Sequence, residues 1–205
     1  MALSQVVKTE VVANIIKYEK KISHFYLDSV GEVTVGVGHL VQNRNAVGNL
    51  VMYKVVNNFP TTLASLADKQ KEYDAVSRMK KNYRAEWYGK HTTLVMKNAD
   101  LTALLDKQIN LFYKELSRIY TKANGYPDDF DKLDNNVQVA LFDMIFNLGA
   151  RKLVANFTNF NKALKAGDWK KAASECNRPQ LDPLRNSYVK NKLLAAAKNS
   201  KGVKP

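Results

Sequence analysis

The chain has one cysteine, Cys176, among its 205 residues. No intramolecular disulfide can form. That fits synthesis in a reducing compartment, with the thiol acting as a small buried apolar group. Its three histidines, His24, His39 and His91, are too scattered to read as a metal site. There is no glycine-rich phosphate loop, no serine–histidine–aspartate order and no internal repeat. Neither a metal nor an organic cofactor is expected. The opening stretch, ALSQVVKTEVV, lacks the apolar core and cleavage signal of a secretory leader. No apolar run approaches the length of a membrane span. The expectation is a chain made in the cytoplasm without a signal peptide and without membrane insertion, which needs a separate carrier to reach any target outside.

Positive charge is abundant. The formal net charge is +13. From Arg151 to Pro205 there are 13 lysines and arginines against 3 acids, so +10 of the excess lies there. A one-sided basic region favours a polyanionic partner. The bacterial wall is one and nucleic acid is another, but the chain has no recognisable groove-reading motif. A solubilising surface accounts for part of any lysine excess. The length suits one domain of two lobes, and 45% hydrophobic content is ordinary for a globular protein.

The most informative stretch is EKKISHFYLDSVGEVTVGVGH, Glu19 to His39. Val7, Val11, Val12, Ile15 and Ile16 recur at helical spacing before it, with Ser4 placed to cap the helix, so Glu19 falls at the helix end. A β-hairpin follows: His24 to Asp28, a turn at Ser-Val-Gly-Glu, then Val33 to Gly38. Side chains alternate across a strand. Val33, Val35 and Val37 then face a core, while Thr34, Gly36 and Gly38 share the opposite face. Glycine in a strand is costly unless something must approach the backbone closely. A sugar chain is such a thing, and carboxylates stand at either edge of this surface. Glycosidic hydrolysis needs such a pair, one to protonate the leaving oxygen and one to handle water or the anomeric carbon.

Further along, Val51 to Phe59 reads as a short helix broken by Pro60. Thr61 then caps an amphipathic helix running to about Lys81. NYRAEWYGKHTTLVMKN is dense in aromatics, Tyr83, Trp87 and Tyr88. Asp100 caps a long helix carrying Leu101, Leu104, Leu105, Ile109, Phe112, Leu116 and Ile119, ended at Asn124-Gly125 and Pro127. Leu133 to Leu148 reads as a core helix closed by Gly149. Phe157 to Leu164, Trp169 to Cys176 and Pro183 to Ala197 read as shorter helices, and the tail NSKGVKP as frayed.

The pattern E-x8-D-x5-T followed by V-G-V-G-H resembles the catalytic signature of phage-type lysozymes (muramidases, glycoside hydrolase family 24). The block ALFDMIFNLGARKLVANFTNFNKALKAGDWKKAA, residues 140–173, resembles that family's C-terminal lobe. The two blocks lie in the family's order, and the resemblance covers residues 5 to about 197. It implies an α+β, mainly helical, two-lobed lysozyme fold: a catalytic N-terminal lobe, 1–98, with a small β-hairpin and a helical insertion over about 46–92; a linking helix, 99–123; and a helical C-terminal lobe, 124–205. It implies Glu19 as general acid, in a partly desolvated site that raises its pKa, Asp28 as base or electrostatic support, and Thr34 positioning water with inversion at the anomeric carbon. Gly36 and Gly38 would floor the sugar site. Asn147 in FNLG and Arg185 in DPLRNSY match residues placed beside substrate. Asn147 has a helix-end hydrogen bond as its alternative role, and Arg185 a basic surface position. His39 would be structural, paired with an acid on the linking helix, though the aligned position here is Gln108, with Asp106 nearby.

The implied activity is cleavage of peptidoglycan by a monomer. The extended first lobe looks more like lysozyme domains of type VI secretion effectors than like compact endolysins. The expected setting is therefore a competitor's periplasm or wall, with an acidic immunity protein as inhibitor. A phage endolysin is the alternative, and a catalytically dead wall-binding module or a nucleic-acid binder are alternatives of other classes.

Overall fold

The computed structural model describes residues 3–202. In chain order it contains α1 (Gln5–Glu19), β1 (Ile22–Leu27), β2 (Val33–Gly36), β3 (His39–Leu40), β4 (Tyr53–Val56), β5 (Phe59–Leu63), α2 (Leu66–Ser77), α3 (Ala85–Tyr88), β6 (Leu94–Val95), α4 (Asn98–Ile119), α5 (Asn135–Ala155), α6 (Thr158–Lys165), α7 (Trp169–Glu175) and α8 (Pro183–Gly202). The protein is α+β and mostly helical, with two small antiparallel sheets. It divides into two compact units. One is Glu19–Gln108; the other joins the residues up to Tyr18 to those from Ile109 onward. The division falls at the end of α1 and within α4.

In the unit Glu19–Gln108, the first sheet has the order β1-β2-β3. Val33, Val35 and Val37 are buried as the alternation requires, and the first two join Phe25, Leu27, Met52, Val76 and Tyr88 in one apolar core. The strand is shorter than its sequence suggests. It stops at Gly36 because Gly36 and Gly38 take left-handed backbone, φ 70° and 67°, to turn the chain back so that His39 pairs with Val35. The glycines thus serve a tight reversal, which few other residues can make.

The segment 51–63 is not a helix broken by proline. It is a second hairpin, β4 and β5, turned at Asn57-Asn58 with φ of 51° and 67°. Paired asparagines tolerate that left-handed turn. Pro60 sits in β5, an edge strand in the order β5-β4-β6. The next helix starts at Ser65 rather than Thr61. The Ser65 hydroxyl accepts from the Asp68 amide (3.1 Å), and the Asp68 carboxylate accepts from the Ser65 amide (3.0 Å), a reciprocal cap. Buried Glu72 ties α2 to β6, accepting from the Thr93 amide (2.6 Å), the Thr93 hydroxyl (2.7 Å) and the Leu94 amide (3.1 Å). Burial pushes its carboxyl above the ordinary value, and those three donors oppose the rise.

In the other unit, α1 begins where Ser4 accepts from the Val7 amide at 3.4 Å, and it buries Val7, Val11 and Ile15. The first part of α5, Val137 to Ile145, is buried on all sides, which marks it as the unit's central helix. It closes at Gly149 (φ 72°, ψ 160°), as its sequence predicts, but a further helical segment runs on to Ala155. Cys176 is buried and free, and burial pushes its thiol above the ordinary value. Asp100 lies inside the first turn of α4 rather than capping it. The tail is not frayed at Asn199: α8 continues to Gly202, and the Trp169 indole donates to the Ser200 hydroxyl at 3.1 Å. Residues 203–205 of that tail lie outside the described residues.

Candidate active site

Glu19 is half-buried and is the last residue of α1. The helix stops there because Lys20 takes left-handed backbone, φ 60°. A lysine in that region is strained by about 1 kcal/mol or more, and such strain clusters at functional positions. An exposed ion pair from Lys20 to Glu86 (2.8 Å) sits beside it.

Asp28 follows β1 and organises the hairpin turn. Its Oδ1 accepts from the amides of Val30 (3.0 Å) and Glu32 (2.9 Å), while its own amide donates to the Glu32 carbonyl (3.0 Å). These bonds hold the carboxylate through Oδ1. Thr34, on β2, is 3% exposed. Its hydroxyl donates to the Glu32 carbonyl at 3.1 Å, so its oxygen remains an acceptor.

Tyr26 is the residue that sequence reasoning missed. It pairs directly with Thr34 across β1 and β2, which puts both side chains on one face. Its phenol is pushed well above the ordinary value, first by burial and then by the charges of Glu19 and Asp28, while a hydrogen bond from the Gly38 backbone opposes the rise. The two acids therefore act on one phenol, which stays protonated. The signal was available: in the predicted strand His24 to Asp28, Tyr26 stands two residues before Asp28, and alternation puts both on one face.

The glycine floor is not as the sequence suggests. Gly36 is buried, and a Cβ there would meet the side chains of Leu104 (3.2 Å) and Leu101 (3.6 Å). Its bare face is covered by α4. Gly38 is half-buried and contributes its backbone to Tyr26. His39 is half-buried in β3, and burial lowers its pKa. The amide oxygen of Gln108 is buried and accepts no hydrogen bond, so it is not the partner of His39. His24 is structural: its Nε2 lies 2.9 Å from the Ala85 carbonyl, and its ring packs where Gly89 leaves no room for a side chain.

The aromatics of the insertion divide. Tyr88 is fully buried, its hydroxyl donating to the Lys80 carbonyl (2.8 Å), and is an anchor. Tyr83 is exposed and stacks on Trp87 at 4.1 Å, and Trp87 meets His91 at 4.4 Å. A pocket of about 410 Å³ lies beside the second sheet, lined by Lys54, Lys71, Glu72, His91 and Thr93 among others. It contains none of Glu19, Asp28 or Thr34, and its buried carboxylate, Glu72, is fully occupied by the β6 clamp.

Asn147 and Arg185 belong to the other unit. The Asn147 side-chain oxygen is buried and accepts no hydrogen bond, which removes the helix-end bond as its role. Arg185 is not a basic surface residue. It is 4% exposed, its Nε donates to the Asp143 carboxylate at 3.0 Å, and its guanidinium lies 5.5 Å from the Tyr18 ring centroid. Arg178, fully buried, holds the other Asp143 oxygen at 2.7 Å, and Asn14 donates to Asp143 at 2.8 Å. Two of the 13 cations counted after residue 150 are thus internal. Among the described residues, no cluster of three or more His, Cys, Asp or Glu side chains is placed to hold a metal ion, and no helix is long and apolar enough to cross a membrane. The sequence matches no protein-family model and no curated protein.

Proposed function

We propose that this chain is a lysozyme-type peptidoglycan hydrolase, with a two-lobed lysozyme fold. It cleaves the β-1,4 bond between N-acetylmuramic acid and N-acetylglucosamine. The unit Glu19–Gln108 is its catalytic lobe. The observation that carries the reading is Tyr26: Glu19 and Asp28 both raise its pKa, and it stands opposite Thr34. A two-carboxylate hydrolase needs two acids flanking one site, and here both act on one half-buried phenol.

In this mechanism Glu19 protonates the glycosidic oxygen as the bond breaks. Asp28, held by the turn amides at Oδ1, takes a proton from water at Oδ2. Thr34 accepts the water's other hydrogen, because its own proton is committed to Glu32. The water's lone pair is then left to attack the anomeric carbon from the face opposite the leaving group, and the product anomer is inverted. NMR of the first product released from a soluble glycan fragment tests this. A retained anomer would assign Asp28 as a nucleophile, and N-acetylglucosamine at the new reducing end would replace the muramidase assignment with another glycosidase.

We further propose that the protein acts in the periplasm or wall of a target bacterium as a secreted antibacterial effector. Such an effector's producer is protected by an acidic inhibitor complementary to this basic chain. Expression in the cytoplasm is then tolerated, whereas the same chain fused to a periplasmic export signal lyses the cell. Survival of the exporting cells, with the protein shown to be folded in the periplasm, would refute wall cleavage.

A further inference from the structure

A basin of about 730 Å³ opens in the helical unit, at the end of α4, the loop after it, the segment of α5 beyond Gly149 and the end of α6. Three cations line it, Arg118, Arg151 and Lys165, and no carboxylate does. All three are exposed. Arg118 pairs with Glu115 at 2.7 Å, but both partners are open to water, so the pair is weak and leaves the local field positive. Lys165 is held in place by the Tyr126 ring, with Nζ 5.1 Å from its centroid. Ile119, Ala150 and Val154 add apolar lining.

We propose that this basin is a phosphate-binding site, taking the phosphodiesters of a thin anionic polymer of the poly(alditol phosphate) type. Guanidinium forks match phosphate oxygens in geometry as well as charge. A cavity of this size holds more than one small repeat, and its apolar lining suits the methylene groups between phosphates. A nucleic acid fits less well. A single strand would stack its bases on open rings, whereas Tyr126 is only 8% exposed and Lys165 lies over it. A lipid surface fits less well too, because the site is concave and Val154 is its one large exposed apolar side chain. The site depends on the hydrolase reading only for its setting at the wall; the binding chemistry stands without it.

The test is direct binding with the full chain and no peptidoglycan, so its result is independent of any hydrolase activity. A short poly(glycerol phosphate) oligomer is titrated while amide and arginine side-chain NMR signals are followed. Shifts are expected at Arg118, Arg151 and Lys165. Affinity is expected to fall about tenfold or more in the R118Q/R151Q double variant, which removes two charged hydrogen-bond donors. The K132Q/K190Q variant, with the same charge loss at exposed positions outside the basin, is expected to keep most of it. Equal loss in both pairs would mean diffuse surface charge, and the site would be withdrawn, as it would if the oligomer does not bind. Tighter, arginine-dependent binding of single-stranded RNA or of anionic phospholipid vesicles would overturn the polymer assignment.

Discussion

The Glu19→Gln protein is expected to clear no peptidoglycan at concentrations where the parent clears it fully, a loss of roughly 10²–10⁴-fold in rate, the usual contribution of a general acid. The leaving oxygen of a glycoside is a poor leaving group until it is protonated, and an amide of the same shape cannot supply the proton. The substitution keeps the side chain's length. A cooperative melting transition and a circular dichroism spectrum like the parent's are the control that the variant folds. The Tyr26 phenol gives a second readout inside the same sample. Glu19 contributes to holding its pKa up, so removing that charge should lower the pH at which Tyr26 ionises, observable in the tyrosinate absorbance. A variant that keeps more than about a tenth of the rate, on the scale of a general acid's contribution, would move the acid role to another residue even if the phenol shifts as expected.

The largest effect on stability is expected at Asp143, in the helical unit. This carboxylate is 1% exposed and is held by Arg178, Arg185 and Asn14. Arg178 is further tied to the Asp143 carbonyl (3.2 Å) and to Asn186. Asp143→Ala would leave two buried guanidiniums without their shared anion. Breaking a buried pair in that way costs about 3–5 kcal/mol, a large fraction of the ~5–15 kcal/mol that holds a typical domain folded. A fall in Tm of about 6–20 °C follows for a chain of this size. Urea unfolding would measure the loss directly. The double variant D143L/R178M removes the fully buried pair together and should cost less than Asp143→Ala, since an apolar replacement of a buried ion pair is often neutral. If Asp143→Ala costs under about 1 kcal/mol, the scale of a surface pair, the cluster contributes little to holding the unit together.

The helices were readable because their apolar spacing is long and regular. Val7, Val11 and Ile15 all proved buried, as did Leu101, Leu104, Ile109 and Leu116. The first hairpin was readable because the turn and the valine alternation agree. The second sheet was not. Val51 to Phe59 carries no clean alternation, and in β4 and β5 neither face is fully buried, so burial imposed no period on the sequence. The only local clue was Asn57-Asn58, a weaker turn signal than Asn-Gly. In the candidate site, Glu19, Asp28 and Thr34 stood out by spacing, and the structure adds which atom each already uses. For Arg185 the burial removes only the alternative of a basic surface position, which stayed open because a buried arginine looks like a surface one until its anion is known, and Asp143 lies 42 residues earlier.

Pro60 carries a consequence for how this chain behaves in concentrated solution. β5 is the open edge of its sheet, and Phe59 and Leu63 on it are 71% and 65% exposed. Open apolar edges invite a second chain to add a strand. Val55, the partner of Pro60, sends its amide to Thr93 on the far side of β4 at 2.9 Å, so the ladder forfeits nothing by having a residue without an N–H there. An incoming strand would find one donor missing along a five-residue edge. Solubility at this hairpin is thus guarded by backbone chemistry, on a strand whose side chains give little protection.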